Sequence, residues 1–232
     1  MTELSDAYRT LAALLHARHS CRAFLPEPIP RSTIEAILAA AQRVPSWCNA
    51  QPWQVIVTSG EETERLRAGL IRAVRTAPEA PDIPFPTAYE GIYRERRSVC
   101  GWQLYGAVGV ERGDREGARA QMLENFRFFG APHVALITTP AALGPYGVLD
   151  CGGYVTAFTL AAEALGVATI PQAAVAPYAP FLHRHFDIPD DRWVVCAISF
   201  GREDRDHPAN AFRTERAPLS EVVEWRGTPP EG

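Results

Sequence analysis

Three runs of consecutive apolar residues constrain this chain more than any other feature: Val55-Ile56-Val57, Val134-Ala135-Leu136-Ile137, and Trp193 to Ile198 within the stretch that ends at Phe200. Strands unbroken by polar side chains need cover on both faces. The segments between them carry helical spacing and can supply that cover. Leu4, Tyr8, Leu11 and Leu15 recur every three or four residues, so residues 4–17 read as an amphipathic helix ending near Arg18. A capping box of Ser32 and Glu35 is expected to open a helix over 32–43, with Ile34, Ile37, Leu38 and Ala41 as its apolar face. Residues 62–75, 114–129, 152–165 and 178–186 also read as helices, and the Tyr- and Arg-rich stretch 88–108 as one helix or two. The strands fall at 53–58, 133–138, 167–170 and 193–200, and Gly166 is placed to cap the helix before the third of them. Pro78, Pro81, Pro84 and Pro86 make 76–90 a loop. From Arg202 to Trp225 the chain is polar with little core of its own, so it is either disordered or an arm that packs on something else.

At 232 residues the chain suits one domain with a substantial core: residues 1–226, of which 202–226 form the arm, and a tail at 227–232. A net charge of -4 gives no electrostatic footprint for nucleic acid or an anionic membrane. No apolar run approaches the roughly 20 residues needed to span a bilayer. Glu3 and Asp6 interrupt the N-terminus, which does not read as a signal peptide. Five scattered cysteines with no CxxC pair argue for reduced thiols, and hence for a cytoplasmic setting.

Two short stretches carry chemistry. In Arg18-His19-Ser20-Cys21-Arg22, two cations and a hydroxyl at alternate positions share one side of an extended segment, a pattern suited to gripping a phosphate. Taken alone, that cluster is equally a basic helix end favoured by the macrodipole. The second stretch, Pro45-Ser46-Trp47-Cys48-Asn49-Ala50-Gln51-Pro52-Trp53, is a polar, turn-rich loop running straight into a strand. Together, in this order and spacing, the two resemble the FMN-dependent nitroreductase family, and within it the nitrobenzoate-reductase-like branch. Two further elements add to the resemblance. One is the helix-Gly-strand-Pro run Leu165-Gly166-Val167-Ala168-Thr169-Ile170-Pro171-Gln172; the other is the basic Asn210-Ala211-Phe212-Arg213-Thr214-Glu215-Arg216-Ala217-Pro218 near the C-terminus.

The resemblance implies an α+β nitroreductase-like fold with a mainly antiparallel central sheet flanked by helices, forming a homodimer with two FMN at its interface. One subunit would bind FMN through Arg18, His19, Ser20 and Arg22, and Arg216, with Arg213 as the weaker match, would reach the phosphate. Pro45, Ser46, Trp47 and Asn49 would come from the partner subunit. The backbone of Pro171, Gln172, Ala173 and Ala174 would run along the flavin ring, with an N–H of Ala173 or Ala174 near N5. Many members carry an acidic residue at the position of Ala173; its absence here leaves proton delivery to water or substrate. The implied reaction is ping-pong transfer of hydride from transiently bound NAD(P)H, through FMN N5, to an electron-poor nitroaromatic or quinone. The flavin carries the chemistry, so no side chain is assigned a catalytic role. The expected acceptor pocket is Trp47, Tyr93, Arg96, Trp102, Tyr105 and Phe128. Arg94, Arg96 and Arg97 are either a solvated face balanced by Glu90 and Glu95, or include one arginine turned inward toward an acceptor's carboxylate.

Other readings carry less. His183 and His185 point to different faces of a helix and lack a third ligand, so no metal site is expected. Nothing orients a base toward Cys48 for nucleophilic work. No GxGxxG follows a strand. The same fold hosts reductive dehalogenases, flavin-fragmenting enzymes and dehydrogenases, and a non-catalytic FMN-binding redox carrier is the alternative outside enzymes. Neither the physiological acceptor nor the choice between NADH and NADPH is written in the sequence.

Overall fold

The computed structural model describes residues 4–227; the expected tail beyond 227 lies outside the described residues. Helix α1 (Asp6–Ala17) is capped by Ser5, whose hydroxyl accepts from the Tyr8 N–H. Strand β1 (Phe24–Leu25) follows, then α2 (Arg31–Ala41), β2 (Gln54–Ser59), α3 (Glu61–Thr76), α4 (Gly91–Ala107) and α5 (Arg115–Leu123). Strand β3 (His133–Pro140), α6 (Gly144–Ala164), β4 (Ala168–Gln172), α7 (Ala179–Phe186) and β5 (Arg192–Glu203) complete the framework. Beyond β5 the described chain holds only short 3-10 turns.

The sheet runs β1-β5-β3-β2, with β4 also paired to β5. Every ladder between these strands is antiparallel, as the α+β expectation requires. Alternation along the strands feeds two cores. Val134 and Leu136 of β3 face one core, with Leu66 and Leu70 of α3 and Leu182 of α7. Ala135 and Ile137 face the other, with Ile34 and Ile37 of α2 and Tyr154 and Phe158 of α6. Along β5, Cys196, Ile198 and Phe200 join the second core, and strict alternation would send Val194 there too. A register shift between Ile137 and Thr138, which pair with Cys196 and Val194, returns Val194 to the first core instead. Two close approaches fix the layers. A Cβ on Gly69 of α3 would stand 2.5 Å from the Phe181 ring of α7. Gly166, at φ +69°, ends α6 with two bonds: its own N–H to the Glu163 carbonyl and that of Val167 to the Ala162 carbonyl.

Four sequence expectations need correction. Helix α2 starts one residue earlier, after Pro30, with no side-chain cap, and Glu35 accepts from Arg31 Nε rather than closing a box with Ser32. Helix α6 begins at Gly144, just over two turns before the expected start at Gly152, because Pro145 suits the first turn of a helix. The expected helix over 114–129 breaks at Leu123 into a 3-10 segment in which Phe128 and Phe129 take φ of 57° and 52°. Strand β2 lies at the sheet's edge and is only partly buried, although Ile56 packs toward the first core and Val55 and Val57 toward the second.

The proline-rich segment before α4 is anchored rather than loose. Asp82 accepts from the Val194 N–H at 2.7 Å and from His183 Nε2 at 2.9 Å, while the Ala80 N–H donates to the Pro177 carbonyl. His183 Nδ1 faces the Ile188 carbonyl at 3.1 Å, so only the imidazolium satisfies both acceptors. Burial pulls the His183 pKa down, but the Asp82 carboxylate and the Ile188 carbonyl outweigh it and leave it raised above the usual imidazole value. A raised folded value contributes stability that is full below the unfolded pKa of about 6.5 and is lost as pH rises through the folded value. Melting temperatures of wild type and His183→Gln should therefore differ most near pH 5.5 and converge toward pH 9. A gap that is constant or widens with pH would contradict the charged anchor.

Candidate functional site

The Arg18 to Arg22 stretch is built by the end of α1 and by the edge of β4. Arg18 caps α1: its N–H still donates to the Leu14 carbonyl, but its ψ of 124° turns the chain out of the helix before the basic cluster. Ser20 then bridges Thr169 in parallel, and the Cys21 N–H donates to the Thr169 carbonyl at 3.0 Å. The segment is thus laid along β4, the strand that carries Pro171 and Gln172. Proline is tolerated there because β4 bonds to a full strand only on its β5 side.

Two cavities meet at this seam, sharing Ser20, Arg22 and Cys100. The first, about 710 Å³, is lined by Arg18, His19, Ser20 and Arg22 from the N-terminal segment, and by Phe212, Arg213, Thr214 and Arg216 from the C-terminal one. Its two carboxylates are Glu163 and Glu203. Glu203 accepts from His19 Nε2 at 2.9 Å and has Arg205 at 3.8 Å. Among the described residues, Arg18, Arg22, Arg213 and Arg216 have no carboxylate within ion-pair distance. Arg22 is half-buried over the Phe212 ring, 5.4 Å from its centroid, and burial lowers its pKa from the usual guanidinium value. Four arginines gathered without an ion-pair partner, one of them partly desolvated, are suited to a multiply charged anion.

The second cavity, about 640 Å³, has a different wall. Trp102 and Tyr105 of α4, in edge contact at 5.6 Å, face it together with Phe129, Ile170 and the 171–174 stretch. The Gln172 side chain is buried: it donates to the Asn125 carbonyl at 2.8 Å and accepts from the Ser199 hydroxyl. Its share of the cavity wall is therefore backbone. Ala173 and Ala174 open a 3-10 turn, whose first N–H groups have no acceptor within the turn and remain available to a ligand. An elongated molecule with an anionic end and a flat, polar-edged body suits the joined pair of cavities.

Several expected site residues stand elsewhere. Pro45, Ser46, Trp47 and Asn49 line neither cavity. Their loop is held by Asp150 of α6, which accepts from the Trp47 N–H, and by the Gln51 N–H donating to Ser46 Oγ, while the Trp47 ring lies 65% exposed beside Tyr146. Phe128 is 1% exposed in the first core; the left-handed kink turns Phe128 inward and leaves Phe129 on the cavity. Tyr93 is exposed, and Arg96 pairs with Glu221 at 2.9 Å. On α4 the cavity is lined by Arg94, Arg97, Ser98, Cys100, Gly101, Trp102, Leu104 and Tyr105, and Arg96 is not among its lining residues.

Asn210 was not anticipated. Its Oδ1 accepts from the Arg22 N–H at 2.6 Å, and its Nδ2 donates to the Ala23 and Asp204 carbonyls at 3.0 and 2.8 Å. This buried amide ties the N-terminal and C-terminal arginine segments into one wall. Its place in a Pro-Ala-Asn turn, at the head of the basic motif, is the signal that could have found it.

Comparison with known proteins identifies the family and the fold. The family model described as Nitroreductase family matches residues 15–202. Nitroreductase NfnB of Mycolicibacterium smegmatis is 33% identical over 221 residues, covering 95% of this chain and 94% of that protein. The 4-nitrobenzoate reductase of Pseudomonas putida is 33% identical over 217 residues, with 93% and 94% covered. The crystal structure of the FMN-dependent nitroreductase NfnB from Mycobacterium smegmatis in complex with NADPH superposes with a TM-score of 0.92 at 33% identity, spanning 96% of this chain and 100% of that one. On sequence, fold and coverage alike, this chain belongs to the nitroreductase family.

Proposed function

We propose that the chain is an FMN-dependent oxidoreductase that uses NAD(P)H to reduce nitroaromatic acceptors. The observation that carries this reading is the set of four unpaired arginines lining a cavity that opens directly into an aromatic-walled one. These residues fit FMN. Arg18, Arg22, Arg213 and Arg216 would take the phosphate, Ser20 at the seam would meet the ribityl chain, and the wall of Pro171, Ala173 and Ala174 would border the ring. When bound, FMN supplies two-electron transfer between the nicotinamide and the acceptor. Arg22 benefits most from a phosphate, because burial has removed water from its charge without giving it a carboxylate. Backbone N–H groups at Ala173 and Ala174 would donate to the ring's edge, and no acidic side chain stands there to relay a proton. Five free cysteines support the cytoplasmic reading.

The functional unit in this reading is a homodimer. Leu4, Tyr8, Leu11 and Leu15 of the first helical segment are 47–55% exposed, and α1 buries none of its residues. Tyr146 and Leu149 on α6, and Leu219, Val222 and Trp225 on the arm over 202–226, are also uncovered. So much clustered apolar surface calls for cover. A second copy would provide it and would bring Pro45, Ser46, Trp47 and Asn49 to the neighbouring subunit's cofactor.

Purified protein reconstituted with flavin should retain FMN rather than FAD. Stopped-flow mixing with NADPH or NADH should bleach the flavin, and a nitroarene should restore its colour. Retention of FAD alone, or no flavin retained, would overturn the assignment, and bleaching with no reoxidation by any nitroarene would favour a redox carrier. Arg22→Ala and Arg216→Ala should each weaken FMN binding on the order of tenfold, since a charge-assisted hydrogen bond is worth about 1.5–3 kcal/mol. Unchanged affinity in both would remove them from the site. Sedimentation should show a dimer that loses flavin on dissociation; a flavin-loaded monomer would refute the shared site.

A further inference from the structure

A second group of cations remains after the phosphate cluster is assigned. Arg94 and Arg97 stand one turn apart on α4, and both line the 640 Å³ cavity. Neither has a carboxylate partner among the described residues, whereas Arg96 between them is paired with Glu221. The Arg97 guanidinium rests over the Tyr89 ring, 5.0 Å from its centroid, an arrangement that orders the side chain and leaves its charge unneutralised. Among the described residues no aspartate or glutamate lines this cavity, in contrast to the two glutamates of its neighbour. Further along α4, Trp102 and Tyr105 line the same cavity.

We propose that Arg94 and Arg97 form a carboxylate subsite that selects electron-poor aromatic acceptors bearing an acidic group. The proposal rests on the reading of this cavity as the acceptor's seat. A planar carboxylate matches the guanidinium fork, and the aromatic side chains further along α4 suit the ring to which it is attached. The 2′-phosphate of NADPH is an anion of the same general kind, so the test separates the two sources.

The measurement is kcat/KM for 4-nitrobenzoate and for its methyl ester, with NADPH and with NADH, in wild type, in the R94Q/R97Q double variant and in R96Q. Wild type should favour the acid by at least about tenfold, the double variant should bring the acid-to-ester ratio near one, and R96Q should keep the wild-type ratio. A wild-type ratio near one, or a ratio unchanged in the double variant, overturns the proposal. So does loss of NADPH-over-NADH preference in the double variant with the acid-to-ester ratio intact, which assigns the pair to the nicotinamide cofactor's phosphate. If neither nitro compound is reduced, the acceptor reading itself has failed, and calorimetric titration with benzoate and benzamide decides the subsite alone. Tighter benzoate binding that the double variant loses upholds it; equal binding of the two overturns it.

Discussion

Strand β5 is long enough to hold three partners, and the placement of the site depends on that. Over its twelve residues it pairs with β3 through most of its length, with β4 over Ala197 to Gly201, and with β1 at Arg202 and Glu203. Because β4 is fixed on β5, the basic segment at 18–22, which bonds to Thr169, is fixed as well. Because β5 continues to Glu203, the carboxylate that orients His19 arrives at the same place. The irregularity opposite Thr138 lets one strand serve both cores, and its buried polar residue, Ser199, is satisfied by the Gln172 amide. Shortening β5 by two residues at its end would remove the pairing to β1 and the His19 partner together.

Electrostatics then divides the two cavities by role. In the first, arginines come from opposite ends of the sequence, and a phosphate would neutralise what the fold leaves unbalanced. In the second, Arg94 and Arg97 of one helix join the shared Arg22 beside aromatic side chains and exposed backbone. The buried thiols take no part in either. Burial pushes Cys21 and Cys196 up to about 12 and Cys151 to about 11, so all three stay protonated at neutral pH. Cys100, by contrast, stands at the seam where the cavities join.

Much of this was legible in the sequence because it rests on periodicity and on short polar patterns. The apolar runs gave the three long strands, and alternate positions in 18–22 placed Arg18, Ser20 and Arg22 on one cavity. What escaped depends on tertiary choices. β1 has two residues and no period to detect. Phe128 and Phe129 are adjacent, chemically identical and both buried in the first core, and only a left-handed kink decides which of them also reaches the cavity. Arg94, Arg96 and Arg97 differ only in helix phase, which shows its meaning once α4 has a packed side and an arm carrying Glu221 crosses it. Asn210 acts through backbone groups far away in sequence, and no local pattern announces such a role.

The knot that Asn210 makes between the segments around Arg22 and Asp204 gives the cavity a particular topology. Two of its arginines precede the first strand and three follow the last, so a molecule held there closes the chain into a ring without a covalent bond. An anion seated among them would act as a clasp on the C-terminal arm, and its departure would free that arm while leaving the sheet whole. Susceptibility of the stretch after Gly201 to a protease would then follow occupancy of the site rather than global stability. A chain ending at Gly201 would retain β2, β3 and β4 and still lose the enclosure that makes the anion site.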